Sequence, residues 1–181
     1  MNKITTIIAS GIVSLVLLTS FIAITNNDDE VAIAVDNRLV FKKEISTTDP
    51  SCLQLYYYIE QYADSFNIPK SYAYGIAHAE TGYNGPFDWN YEHKRTSPAG
   101  AVGPMQVMVA TAIGINHEKV TANKLKNNVE YNVRTSMKLL RILHDKYDDW
   151  KLVFGAYNTG RAVVNNYAIK VYNYEPNWTN Q

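Results

Sequence analysis

The sequence predicts an all-α domain preceded by an N-terminal apolar segment, and three observations carry the prediction. From Leu53 onward, apolar residues recur close to every 3.6 positions, the period of one helix face. The start of the chain instead holds a charge-free run, Ile4 to Ile24. Composition completes the case: 46% of the 181 residues are apolar and 19% charged, enough to fill one modest core. On this reading the chain divides into an apolar segment at 1–25, a connector at 26–50 and a helical domain at 51–181.

The run ITTIIASGIVSLVLLTSFIAI, built as a helix, reaches about 30 Å, the thickness of a bilayer core. Lys3 precedes it and Asp28-Asp29-Glu30 follow it. The lysine on the near side predicts an N-terminus held inside and an exported body. A cleaved signal peptide is the alternative. Residues 21–25 read FIAIT and lack a small-x-small site, and the match at Ala32-Ile33-Ala34 lies beyond the acidic cluster. An anchor spanning the membrane through residues 4–24 is therefore the favoured reading. Either reading sets the domain outside the cytoplasm, facing the periplasm or the cell wall. In the connector, VAIAVDNRLVF alternates around Asp36-Asn37, which predicts a short hairpin.

The helices follow in order. TTDPS, 47–51, is turn-like and opens the first, whose face carries Leu55, Tyr58/Ile59, Tyr62 and Phe66; Asn67 and Pro69 end it. Ser71 is expected to cap a second, through Tyr74, Ile76 and Ala77, with Gly82 as its stop. Residues 83–100 are loop-rich. A short helix is expected over Pro104–Ala112. A long one over Asn128–Lys146 sets Val129, Val133, Met137, Leu140, Leu143 and Tyr147 on one core stripe. Another runs from Asp149 to Asn158-Thr159-Gly160, and a last over Arg161–Tyr167, for five to seven helices in all.

Several chemistries are excluded. Lys plus Arg equals Asp plus Glu, 17 against 17, so the basic excess of a nucleic-acid binder is missing. His78, His93, His117 and His144 form none of the spaced pairs that hold a metal, and no phosphate loop or Gly-x-Ser-x-Gly elbow occurs; no cofactor is expected. The single Cys52 rules out an internal disulfide and reads as a free thiol. Fourteen tyrosines and three tryptophans suit sugar stacking as well as ordinary cores.

Chemistry concentrates around Glu80. In AHAETGYN, 77–84, one carboxylate ends an apolar helix. Such a group is either a solvated glutamate or a carboxyl in a poorly solvated cleft, its pKa raised so that it donates a proton near neutral pH. Two further segments accompany it: SPAGAVGPMQVMVATA, 97–112, and FGAYNTG, 154–160. In this order, with a long amphipathic helix between the second and third, they resemble the lytic transglycosylase domain of the soluble-transglycosylase type, lysozyme-like and related to goose-type lysozyme. The resemblance covers about residues 53–170.

The resemblance implies a lysozyme-like helical domain with a central cleft that acts on peptidoglycan glycan strands. Glu80 matches the family's catalytic acid. It would protonate the glycosidic oxygen between MurNAc and GlcNAc, then act as base while the sugar's own C6 hydroxyl closes a 1,6-anhydro ring. Gln106 matches a cleft residue that bonds the sugar, its amide both donating and accepting. Met105 would pack on a sugar face or fill core. Tyr157 would sit near the acid, Asn158 would contact sugar or shape the turn, and Ser97 would lie near the acetamido group. The family implies a cutter for secretion, conjugation or phage machinery.

The departures define alternatives. Thr81 stands where the family has serine, and keeps a hydroxyl that can orient the acid. Pro104 replaces a leucine and fits a first helical turn. YNGPFDWNYEHKRT, 83–96, is longer than the family's spacing and brings Asp88, Trp89 and Glu92. Trp89 reads as a sugar-stacking ring. If Asp88 or Glu92 held a water opposite Glu80, the protein would be an inverting hydrolase, a true lysozyme. A catalytically silent wall-binding or assembly protein is the remaining alternative.

Overall fold

The computed structural model describes residues 22–23, 30–35, 38–43 and 45–178. The chain divides after residue 44 into two units. In the first, β1 (Ile22–Ala23), β2 (Glu30–Val35) and β3 (Arg38–Lys43) form an antiparallel sheet in that order, with Ile22 opposite Ile33 and Val35 opposite Arg38. The expected membrane segment lies outside the described residues except at Ile22–Ala23, which are strand. Among the described residues no helix is long and apolar enough to cross a membrane.

The second unit is mostly helical. α1 (Ser51–Ser65) and α2 (Lys70–Thr81) are joined by a turn with Asn67 in the left-handed region, φ 53°. α1 packs along α5 (Val129–Tyr147), and α6 (Trp150–Thr159) bridges α5 to α7 (Asn166–Tyr172), which lies back across α2. α3 (Val109–Asn116) and α4 (Ala122–Asn127) close the other side. The α5 stripe is core as the periodicity requires: Val129, Val133, Met137 and Leu140 are buried, with Leu143 and Tyr147 packed on its edge. Gly75 lets α7 approach α2, since a Cβ there would stand 2.9 Å from the Val171 carbonyl oxygen.

Four local expectations change. The N-cap of α2 is Pro69, so the helix begins at Lys70 and Ser71 is not its cap. No helix covers 104–108. Instead β4 (Ala101–Val102) and β5 (Val107–Met108) pair antiparallel around a turn, and α3 starts only at Val109. The reason is backbone conformation: Gly103 and Gln106 both have positive φ, 80° and 49°, which a helix cannot accommodate. Pro104 is therefore a turn residue. The last helix begins after 161–165, where Asn165 caps it by accepting from Ala168 N–H at 2.8 Å. α4 carries too few apolar positions to show in the periodicity, with Leu125 its one buried residue.

Candidate active site

Glu80 owes its setting to helix geometry. Ala73, Ile76 and Ala77 form the buried stripe of α2, and Glu80 lies three and four residues beyond the last two, on the same face. The helix then stops at Gly82, in the left-handed conformation at φ 73°. The carboxyl is thus carried to the edge of the core, where burial raises its pKa above the usual carboxylate range. Opposing this, the Tyr167 hydroxyl donates to Glu80 Oε1 at 2.6 Å and favours the charged form.

Tyr157 faces the same carboxyl. Its ring extends the α6 stripe of Val153 and Phe154, and its hydroxyl donates to the Met105 carbonyl at 2.6 Å and bonds Ser136 Oγ at 2.9 Å. Burial and the nearby Glu80 charge raise the phenol pKa, so Tyr157 stays protonated as a donor. Burial and Glu80 act on Tyr167 in the same direction. Two neutral phenols and one half-buried carboxyl form the centre.

The turn at 103–106 is held from below by α5. Asn132, fully buried, donates from Nδ2 to the Val102 and Leu125 carbonyls at 2.8 and 3.1 Å and accepts from Met105 N–H at 3.0 Å. Both backbone polar groups of Met105 are therefore fixed, one by Asn132 and one by Tyr157. Gly103 must be glycine: a Cβ would stand 2.4 Å from Asn132 Nδ2. The next residue but two, Gln106, takes a left-handed conformation and folds its amide onto the Gly103 carbonyl at 2.7 Å. A non-glycine residue held there stores backbone strain, a feature that clusters at functional sites.

The remaining predicted residues fall into different places. Met105 has no exposed surface and fills core, so it cannot pack on a sugar face as the structure stands. Thr81 is 1% exposed. Its hydroxyl lies 3.0 Å from both the Ala77 and Pro104 carbonyls and 2.8 Å from the Tyr91 hydroxyl, so it fastens the end of α2 to the 103–106 turn instead of contacting ligand. Ser97 Oγ accepts from Ala101 N–H at 3.0 Å and shapes the turn before β4. Asn158 is exposed, with Asn165 Nδ2 donating to it at 3.4 Å. Trp89 is exposed at the tip of the 83–96 segment.

The two alternative carboxylates have partners of their own. Asp88 acts on Cys52 and Tyr91, and Glu92 accepts from Lys94 N–H at 2.8 Å in the open. Among the described residues no three metal-ligating side chains gather.

Sequence reasoning missed Tyr167, Ser136 and Asn132. Tyr167 meets Glu80 across 87 positions, a contact no local period reveals. Asn132 and Ser136 did carry a signal: they sit four apart on one helix, polar positions beside an apolar stripe.

The second unit is thus a helical domain in which a left-handed ribbon turn and a half-buried carboxyl lie beside two neutral phenols. The chain belongs to the family described as the transglycosylase SLT domain, whose family model matches residues 57–179. Among solved structures, a 70 kDa soluble lytic transglycosylase in complex with bulgecin A is similar over 64% of this chain, with 25% identity and a TM-score of 0.50. The 70 kDa soluble lytic transglycosylase of Escherichia coli is similar over 64% at 22% identity and TM-score 0.47. An inactive mutant of the lytic transglycosylase Slt from Pseudomonas aeruginosa is similar over 57% at 21% and 0.47. The match spans only 18%, 18% and 16% of those chains.

Proposed function

We propose that this protein is a peptidoglycan lytic transglycosylase that cleaves the β-1,4 bond between MurNAc and GlcNAc with Glu80 as its one general acid and base. The observation that carries the reading is Glu80 itself: a half-buried carboxyl at the end of α2, held by the Tyr167 hydroxyl at 2.6 Å, with its pKa raised by burial. A protonated Glu80 gives its proton to the glycosidic oxygen as the C1–O bond breaks and the GlcNAc alcohol leaves. The carboxylate then takes the proton of the C6 hydroxyl as that oxygen bonds to C1, which closes the 1,6-anhydro ring and returns Glu80 to its acid form. No water is consumed. Tyr167 holds Glu80 in place, Tyr157 and Ser136 fix the floor, and the Gln106 amide turns from Gly103 to the sugar.

The charge-free run before the domain supports an exported enzyme tethered to the membrane through residues 4–24 and working on nearby wall. A secretion, conjugation or phage assembly would use such a local cutter.

The test is digestion of purified peptidoglycan by the native chain and by Glu80→Gln, with fragments weighed by mass spectrometry. Anhydro ends from the native chain alone are expected. Ends heavier by one water would make it a hydrolase and return attention to Asp88 and Glu92. A folded native chain that binds walls without cutting them would mark a silent assembly protein.

A further inference from the structure

The 83–96 segment has no role in the chemistry above, yet it is built with care. Its root is buried: Tyr83 and Tyr91 belong to the core and His93 is buried beside them. The Tyr83 hydroxyl donates to the Cys52 carbonyl at 3.0 Å, His93 Nδ1 pairs with Ser51 Oγ at 2.7 Å, and the Gly85 backbone presses on the Trp178 ring. Its tip is a run of tight turns, with Asp88 N–H donating to Gly85, Trp89 to Phe87 and Tyr91 to Asp88. On that rigid tip stand Phe87 and Trp89, 64% and 63% exposed, the most exposed of the large hydrophobic side chains of the domain. Their rings meet edge to face, with centroids 6.4 Å apart. The two rings in contact on a hydrogen-bonded loop form an exposed apolar patch.

The segment is also fixed relative to the cleft. It begins after Gly82, two residues from Glu80, and its far end joins the ribbon through the Thr96–Val102 bridge. The Tyr91 hydroxyl touches Thr81 Oγ1, on the residue next to Glu80. Trp89 lies two residues from Tyr91, so their Cα atoms are no more than about 7 Å apart.

We propose that Phe87 and Trp89 form an accessory saccharide platform that stacks on the glycan strand outside the units at Glu80. The proposal rests on reading the cleft as a glycan-cleaving site. Aromatic faces suit the C–H faces of sugar rings, and the Tyr91–Thr81 contact ties this segment to the residue next to Glu80. A bilayer is the weaker occupant. The segment carries Asp88 and Glu92 against Lys94 and Arg95, without the basic excess that a surface anchor of two rings would need as its second signal.

The test compares chitotriose with chitohexaose, by calorimetry, on the full chain with Glu80→Gln, with and without Phe87→Ala/Trp89→Ala. Both positions are exposed, and circular-dichroism melting checks that the fold persists. The Kd for the hexamer should rise about tenfold while that for the trimer stays put. In the active chain the double change should slow release of anhydro ends from intact walls. Unchanged hexamer affinity, equal weakening of trimer and hexamer, or no hexamer binding by the parent would each overturn the platform. So would loss of binding to phosphatidylglycerol vesicles with hexamer affinity retained. The two readings fail separately: native-rate anhydro release by the double variant sinks the platform alone, whereas a hexamer effect without anhydro ends sinks only the proposed chemistry.

Discussion

Glu60 and Glu80 lie on the same helical hairpin and differ in their charged partners. Each accepts a tyrosine hydroxyl, Glu60 from Tyr74 at 2.7 Å and Glu80 from Tyr167 at 2.6 Å. Glu60 also meets Lys70 Nζ at 2.7 Å, and that ammonium reaches Asp64 at 3.2 Å. Glu80 belongs to none of the ion pairs among the described residues. Glu60 on α1 is bonded to Lys70 and Tyr74 of α2 and so ties the two helices together. A half-buried carboxylate with only a neutral donor is costly as an anion and so keeps its proton to higher pH. Identical side chains thus meet opposite surroundings at the two ends of α2.

Exchanging the two defects breaks the comparison most visibly. Glu80→Gln should lower the rate of anhydro-end formation by about 10²–10⁴-fold, the range of a lost general acid. Glu60→Ala should leave that rate near native, because it touches nothing in the cleft. It strands the buried Tyr74 hydroxyl, at a cost of about 1–3 kcal/mol. The check is to measure rate and Tm on both variants; a large rate loss at Glu60 with little change in Tm would dissolve the distinction.

A structural break comes next. At Gly155 a Cβ would lie 1.7 Å from the Val163 carbonyl oxygen, so Gly155→Ala must push the 161–165 segment outward. That segment leads directly into Tyr167, the Glu80 partner. Destabilisation of about 3 kcal/mol is expected from the overpacking, together with loss of activity. A variant that melts as native and cuts as native would show that the crossing is not held by the glycine.

What the sequence made legible follows the same division. The stripes of α1 and α5 show because packing writes a 3.6 period into neighbouring residues, and Glu80 shows because it ends such a stripe. Motif resemblance supplied Gln106 and Tyr157, neither of which has a local physical signature. Tyr167 stayed hidden because its partner is remote in sequence. The 104–108 stretch was misread as helix because its apolar residues fit a helical turn, whereas the left-handed Gln106 is set by Asn132, Tyr157 and the Gly103 carbonyl around it. The sequence leaves Met105 between a sugar face and the core, and its burial matches the core reading; Thr81 reads as orienting the acid, whereas its buried hydroxyl fastens α2 to the 103–106 turn.

The pH dependence sharpens the comparison further. Burial raises the Glu80 pKa, so the folded state binds the proton more tightly than the unfolded chain. Its stabilising contribution is present below the unfolded value near 4.5 and is lost as pH rises through the higher folded one. Glu80→Gln has no such loss, so its Tm relative to native should climb as pH rises above about 4.5 and level off once pH passes the folded value. Activity should fall over the same limb, as the acid form disappears. Tyr167→Phe removes the donor that favours the anion, and should move both limbs to higher pH while lowering the rate at the optimum. A shift to lower pH would mean that Tyr167 holds a protonated Glu80 instead.

The smallest effect belongs to Gln106, where the site holds strain in the backbone instead of an uncompensated charge. At φ 49° its left-handed conformation costs a side-chain-bearing residue about 1–2 kcal/mol, and glycine nothing. Gln106→Gly therefore gains this relief and loses part of it to the greater freedom of the unfolded chain, about 0.4–1 kcal/mol. Gln106→Ala keeps the strain and loses the amide bond to Gly103. The glycine variant should melt slightly above the alanine variant, while both bind chitotriose equally weakly and cut slowly. Equal loss of function with unequal stability would assign the cost to the amide's place at the sugar. If the glycine variant cuts as fast as native, the amide is no ligand and the strain at Gln106 serves only the ribbon.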